Sequence, residues 1–159
     1  MNYFELFDMP VSLAVDKANL PKKYFELQKK YHPDFYTQAD ESVQEAVLEK
    51  SSQVNKALKV FQQLQSTIKY VLQLKGLLVE EEKYQLPSDF LMEVMELNEN
   101  LSDGSAGVLE SFETQIYSEV KAIIENYDDS KTTIEDLLKV KEYYFKKKYL
   151  QRILDRLDD

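Results

Sequence analysis

The sequence predicts an all-α chain built as two helical domains, and three observations predict it. First, 159 residues include only three glycines and four prolines, so little interrupts runs rich in Glu, Lys, Leu and Gln, which favour helix. Second, apolar residues recur at intervals of three and four along most of the chain, the spacing of one helical face. Third, the charge is divided: residues 1–75 hold ten Lys against nine Asp and Glu, net +1, whereas residues 76–159 hold ten Lys and Arg against twenty acids, net −10. Two halves that differ this much electrostatically suggest two domains with two kinds of partner. A hydrophobic content of 43% with 12% aromatics is enough for packed cores and argues against wholesale disorder.

Taken in order, "NYFELF" predicts a short first helix ended near Pro10. In "SLAVDKANLPKKYFELQKKYH", Leu20, Tyr24, Leu27 and Tyr31 step by 4, 3 and 4 along one face of a second helix. Asp16 or Asn19 can cap its start, and Pro21 fits only in its first turn. Lys22, Lys23, Lys29 and Lys30 lie off the apolar stripe. Pro33 stops the helix and biases His32 towards extended backbone, so "HPDFYTQAD" predicts a loop. Asp40 or Ser42 opens a third helix, whose stripe runs through Val43, Val47, Val54, Leu58, Phe61 and Leu64, with the small Ser51 where two helices can approach closely. Together these elements predict a helical hairpin. "STIKYVLQLKG" follows as a further helical piece with Gly76 as its C-cap.

Residues 77–87 mix acids with scattered apolar side chains and end in Pro87, which predicts a linker, packed at least in part, between a domain at 1–76 and one at 88–159. Ser88 is the expected cap of a helix over "DFLMEVMELNENL". Phe90, Val94, Leu97 and Leu101 fall within about 60° of one another on a helical wheel and form its core stripe. "SDGSAG" (102–107) predicts a loop, "VLESFETQIYSEVKAIIENY" a helix and "DDSKTT" a turn. Thr132 and Glu135 have capping-box spacing at the start of a last helix reaching about Asp158. The second half thus predicts a three-helix bundle of ordinary size for such a unit.

Composition excludes several functions. There is no cysteine, so disulfides, zinc–thiolate sites and thiolate ligation of an iron–sulfur cluster are absent, and no bound cofactor is expected. The N-terminal stretch has acids and no Lys or Arg, unlike a signal or transit peptide. No apolar run approaches a membrane span, which predicts a soluble, cytoplasmic protein without a membrane partner. The −10 half argues against nucleic acid, whose phosphates call for an excess of Lys and Arg. The basic run "KKKYLQR" (146–152) is expected to pair with neighbouring acids or to be solvated.

His32 is the only histidine. Catalysis would require a positioned partner and nucleophile, and the loop offers only Asp34 and Tyr36; a metal site would require three or four ligands, and there is no second His and no Cys. X-Pro-Asp is also an ordinary turn sequence. A third reading fits the context: a basic helix leads into a proline-stiffened loop ending in Asp34, suited to docking on an acidic surface with one carboxylate offered to a partner's arginine. "NYFELFDMP", the basic helix, "YHPD" and "VNKALKVF" occur in the order and spacing of a J domain, and residues 1–75 resemble that family. His32, Pro33 and Asp34 match its signature tripeptide, while Val54, Asn55, Ala57 and Leu58 resemble its third-helix signature. Phe35 departs from the lysine common there.

Leu91, Met92 and Met95, with Glu96 and Glu99, lie about 90° to 240° round the helix from Phe90. This second apolar face either packs on the rest of the chain or forms an acid-edged protein-binding patch. "DFLMEVMELNENL" is similar to the corresponding segment of the HscB type of iron–sulfur cluster co-chaperone, and that resemblance covers almost the whole chain. It implies a J domain followed by a three-helix bundle, with no catalytic chemistry in the chain itself. It also implies two partners: a DnaK/HscA-type chaperone, whose ATPase the J domain stimulates, and an IscU-type cluster scaffold held by the bundle. His32, Pro33 and Asp34 with Lys22, Lys23, Lys29 and Lys30 would face the chaperone. Leu91, Met92, Met95, Glu96 and Glu99 would face the scaffold, with Tyr144 or Phe145 as an aromatic from the last helix. A J protein for a different client would keep the first set and not the second.

Overall fold

A computed structural model describes residues 1–99 and 106–157; the expected core residue Leu101, most of the 102–107 loop and the end of the last helix at Asp158 lie outside the described residues. Among the described residues every regular element is helical, and contacts divide the chain into two compact units, Met1–Val71 and Leu72–Asp159.

In the first unit α1 (Tyr3–Leu6) is opened reciprocally: the Glu5 amide donates to Asn2 Oδ1 at 2.8 Å and Asn2 Nδ2 to Glu5 Oε1 at 3.0 Å. It closes on Asp8, whose φ of 51° is in the left-handed region that Asp tolerates better than most residues. The ammonium of Lys23 donates to the carbonyls of Phe7 (3.1 Å) and Asp8 (2.8 Å), meeting the negative end of the short helix. α2 (Leu20–Tyr31) follows, with Asn19 at the cap position and Pro21 in the first turn as expected. The cap side chain makes no bond to the helix; instead Asn19 Nδ2 donates to Asp16 Oδ2, at 3.3 Å.

α3 (Glu41–Gln62) lies antiparallel to α2. Tyr24 Oη and Gln28 Nε2, one helical turn apart, both donate to Asn55 Oδ1, at 2.8 and 3.1 Å. Below that polar clamp, Leu20, Val47, Val54, Ala57 and Phe61 are buried with Phe4 and Phe7; the Phe4 and Phe7 rings lie 4.9 and 5.3 Å from that of Phe61. The stripe read through Leu64 does not continue as one helix. The backbone turns extended at Gln63, and α4 (Leu64–Leu74) begins. Carbonyls freed at that break are taken up by hydroxyls: Ser66 Oγ and Thr67 Oγ1 donate to Val60 O at 2.6 and 2.8 Å, which explains a buried threonine at no cost in lost hydrogen bonds. α4 ends as expected at Gly76, where φ is +72°. Gly76 N donates to Gln73 O and Leu77 N to Leu72 O, the Schellman pattern.

The second unit contains α5 (Ser88–Glu99), α6 (Ala106–Ser118), α7 (Lys121–Glu125) and α8 (Ile134–Leu157). Three local expectations need correction. Ser88 is the first residue of α5 rather than its cap, since the Pro87 carbonyl already accepts from Leu91 N at 3.1 Å. The helix expected over 108–127 breaks at Glu119–Val120, where the amides reach back three residues instead of four, leaving α6 and α7. Thr133, not Thr132, caps α8: its Oγ1 accepts from Asp136 N at 3.2 Å, while Thr132 Oγ1 accepts from Asp128 N in the preceding turn. The core comprises Phe90 and Val94 of α5, Leu109, Phe112 and Ile116 of α6, Ile124 of α7, and Leu137, Val140, Tyr143 and Leu150 of α8.

Residues 77–87 lie within this unit. Leu78 is buried, Glu82 pairs with Lys141 at 2.7 Å, and the Tyr84 ring stacks on Phe145 with centroids 4.5 Å apart and planes 1° from parallel.

Candidate functional site

Each unit presents one surface, built differently. In the first, the segment read as a loop is a 3₁₀ turn, Pro33–Tyr36, with His32 at its cap position. Proline supplies the first turn, where its missing N–H costs nothing. The His32 imidazole acts as the capping group: Nδ1 accepts from Asp34 N at 3.2 Å. Tyr36 Oη donates to the Lys30 carbonyl at 2.6 Å, at the otherwise unsatisfied end of α2, and Gln44 Nε2 donates to the carbonyls of Tyr36 (3.0 Å) and Thr37 (3.1 Å). The turn is thus tied to both helices of the hairpin. The Asp34 side chain remains 85% exposed, with Oδ2 3.6 Å from His32 Nδ1. Phe35 is 69% exposed beside it, its ring 6.0 Å from the imidazole.

The four lysines assigned to this surface are not equivalent. Lys22, Lys29 and Lys30 are exposed. Lys29 rests over the Phe25 ring at 4.6 Å and Lys30 over Tyr31 at 5.2 Å, which orders each stem without neutralising the charge. Lys23 is held by the carbonyls of Phe7 and Asp8, just past α1, so much of its hydrogen-bonding capacity serves the fold. Asn55, which joins α2 to α3, was recognisable only as part of a signature run; its two donors lie 27 and 31 residues away, beyond any local periodicity.

In the second unit α5 separates its two faces. Phe90 and Val94 are buried, whereas Met92 and Met95 are 63% and 57% exposed, and Glu96 and Glu99 are exposed beside them. Leu91 is half-buried at the margin. There it lines a cleft of about 460 Å³ together with Phe145 and Tyr149 of α8. Of the two aromatics expected from the last helix, Phe145 reaches this cleft, while Tyr144 is 6% exposed and belongs to the core. Tyr149 went unnoticed in the sequence. Its ring meets Phe90 edge-on at 6.1 Å, and its position four residues after Phe145, on the same helical face, was the available signal. Among the described residues no group of three or more His, Cys, Asp or Glu is placed to hold a metal, and no helix is long and apolar enough to cross a membrane.

Comparison with known proteins places these surfaces in context. Residues 86–158 match the family model of the HSCB C-terminal oligomerisation domain. A co-chaperone protein HscB homolog of Acinetobacter baumannii is 29% identical over 159 residues, covering 99% of this chain and 89% of the relative. Co-chaperone protein HscB of Buchnera aphidicola is 38% identical over 104 residues, 65% of this chain and 60% of that protein. Among solved structures, human co-chaperone protein HscB superposes with a TM-score of 0.79 at 27% identity, covering 99% of this chain and 81% of that one. Chaperone HscB from Vibrio cholerae gives 0.68 at 25%, covering 100% and 98%.

Proposed function

Because the chain belongs to the HscB type of co-chaperone, we propose that it binds an IscU-type iron–sulfur cluster scaffold, delivers it to a DnaK/HscA-type chaperone in the cytoplasm and stimulates that chaperone's ATPase. The observation that carries this reading is the Asp34 carboxylate, 85% exposed on a turn held by its neighbours. A fixed, solvated carboxylate suits a partner's arginine, because its orientation need not be bought again on binding. Lys22, Lys29 and Lys30 add long-range attraction to an acidic surface, which weakens as salt rises. Lys23 acts indirectly, by fixing α1 to α2.

The second unit holds the scaffold. Met92 and Met95 offer apolar area that the fold leaves in water, worth about 25 cal/mol per Å² on burial before the costs of association. Leu91 and Phe145 extend that area into the cleft. Carrying client and ATPase activator in one chain raises their effective concentration for each other. The chain itself performs no covalent step; its effect is on the rate at which the partner hydrolyses ATP.

The test is single-turnover ATP hydrolysis by the candidate chaperone, with the chain and the scaffold each present or absent. The chain is expected to accelerate hydrolysis, and the scaffold to enhance that acceleration. No acceleration under any combination overturns the reading.

A further inference from the structure

The cations of α8 do not behave as one patch. Lys141 pairs with Glu82 at 2.7 Å, Lys146 approaches Glu142 at 3.9 Å, and Lys147 is paired with Glu113. Lys148 and Arg152 are exposed and form no ion pair with a described residue, and the same holds for Lys83. All three unpaired cations line the cleft that contains Leu91, Phe145 and Tyr149. On α8 the arrangement follows from spacing alone: Phe145, Lys148, Tyr149 and Arg152 stand at i, i+3, i+4 and i+7, one face of the helix. Two like charges at i, i+4 disfavour each other slightly. In a half of net charge −10, this local positive rim is left to solvent rather than paired within the fold.

We infer that this cleft is a cationic subsite for the scaffold, taking a segment in which a leucine-sized or aromatic side chain is flanked by carboxylates. The apolar side chain enters between Leu91 and the Phe145–Tyr149 edge, where the Tyr84–Phe145 stack gives a rigid wall. A carboxylate then meets Arg152, whose guanidinium accommodates two parallel hydrogen bonds, and Lys148 and Lys83 add attraction without fixed geometry. Glu82 also lines the cleft, but Lys141 already engages it. Leu91 and Met95, one helical turn apart, make the cleft continuous with the acid-edged methionine face. The whole binding surface is then bipolar, acidic along α5 and basic along α8, so a scaffold of matching polarity docks in one orientation and its reverse is opposed by like charges. The inference rests on the scaffold-binding reading above.

Calorimetry with purified scaffold and the full chain, at low and at high salt, tests it. Lys148→Glu with Arg152→Glu should weaken binding about tenfold or more at low salt and flatten the salt dependence. The milder Lys148→Gln with Arg152→Gln should shift both in the same direction by about threefold, and it remains informative if the reversal variant fails to fold. Met92→Ala with Met95→Ala should weaken binding while leaving the salt dependence as in the wild type. If the wild type does not bind the scaffold, the scaffold-binding reading falls and this inference with it. If the wild type binds and the α8 variants bind equally with the same salt dependence, only the cationic subsite is overturned.

Discussion

The amide of Asp34 donates to Nδ1 of His32 across 3.2 Å, and this bond makes the histidine the cap of the turn that follows it. With Nδ1 accepting, the neutral ring carries its proton on Nε2. The bond fixes the first turn after Pro33 and sends the Asp34 carboxylate outward, where it is 85% exposed. Replacing Asp34 by Asn preserves the backbone donor and removes only the charge. Asp34→Asn should therefore abolish stimulation of the partner's ATPase in single-turnover assays, with a change in stability within about 0.5 kcal/mol, as for other exposed positions. Full stimulation by this variant would refute the docking role.

His32 can be separated from Asp34 by choosing replacements according to what they accept. Asparagine is a good capping residue whose Oδ1 can take a bond from the amide two residues on; alanine cannot. His32→Ala should cost about 1 kcal/mol and speed hydrogen exchange at the Asp34 amide. His32→Asn should restore much of that protection, and with it more of the ATPase stimulation than His32→Ala retains. Equal stimulation by the two variants would mean that the imidazole itself touches the partner.

These two residues also mark how far the sequence could be read. Features set by local patterning were legible: the stripe through Phe90 and Val94, the left-handed cap at Gly76, and a second apolar face on α5, whose exposure the sequence left open. Features decided by a competition between adjacent residues were not. Thr132 and Thr133 are both plausible caps for α8, and the choice depends on Thr132 being claimed by Asp128 in the turn before it. Features set by distant partners were the least visible. Lys23 reads as one more surface cation until its ammonium is found on carbonyls 15 and 16 residues away. Likewise Tyr144 and Phe145 are adjacent aromatics, and only the packing of α8 decides that one faces the core and the other the cleft.

Asn55 should prove structural, although it falls within a signature run. Its Oδ1 accepts from both Tyr24 and Gln28, so Asn55→Ala removes two bonds between α2 and α3 and leaves two donors that water can reach. A loss of about 1–2 kcal/mol in urea denaturation is expected. Any drop in ATPase stimulation should be recovered under conditions that restabilise the fold. A drop that persists in the fully folded variant would show direct contact with the chaperone.

Stability of the second unit should fall in acid through two identified pairs. The hydrogen bond from Lys141 holds the Glu82 carboxyl below its ordinary range, and hydrogen bonds from Lys75 and then Tyr127 do the same for Asp129. A carboxylate whose pKa is lowered in the folded state stabilises the fold at pH values above its unfolded pKa, and that contribution disappears as pH falls through the folded value. Lys141→Met with Lys75→Met should therefore lower Tm at neutral pH. The gap to the wild type should narrow steadily below about pH 4. A gap that stays constant in acid would show that the lysines stabilise by packing alone.

Within a single turn α5 sets a buried side chain beside an exposed one. Val94 is 1% exposed, and its neighbour Met95 is 57% exposed, although both are aliphatic in sequence. Val94→Ala empties core volume and should cost about 1–3 kcal/mol. Met92→Ala with Met95→Ala removes area that the fold leaves mostly in water, so thermal unfolding should change much less than in Val94→Ala. Scaffold affinity, however, should drop by about tenfold or more if these side chains are central to the interface. The alternative, that this face is needed for the fold itself, makes the opposite prediction: both pairs of measurements would move together, with loss of stability in the methionine variant as large as in Val94→Ala. Thermal melts and calorimetry on the same two preparations decide between them, because only an exposed binding face lets affinity change while the melting temperature does not.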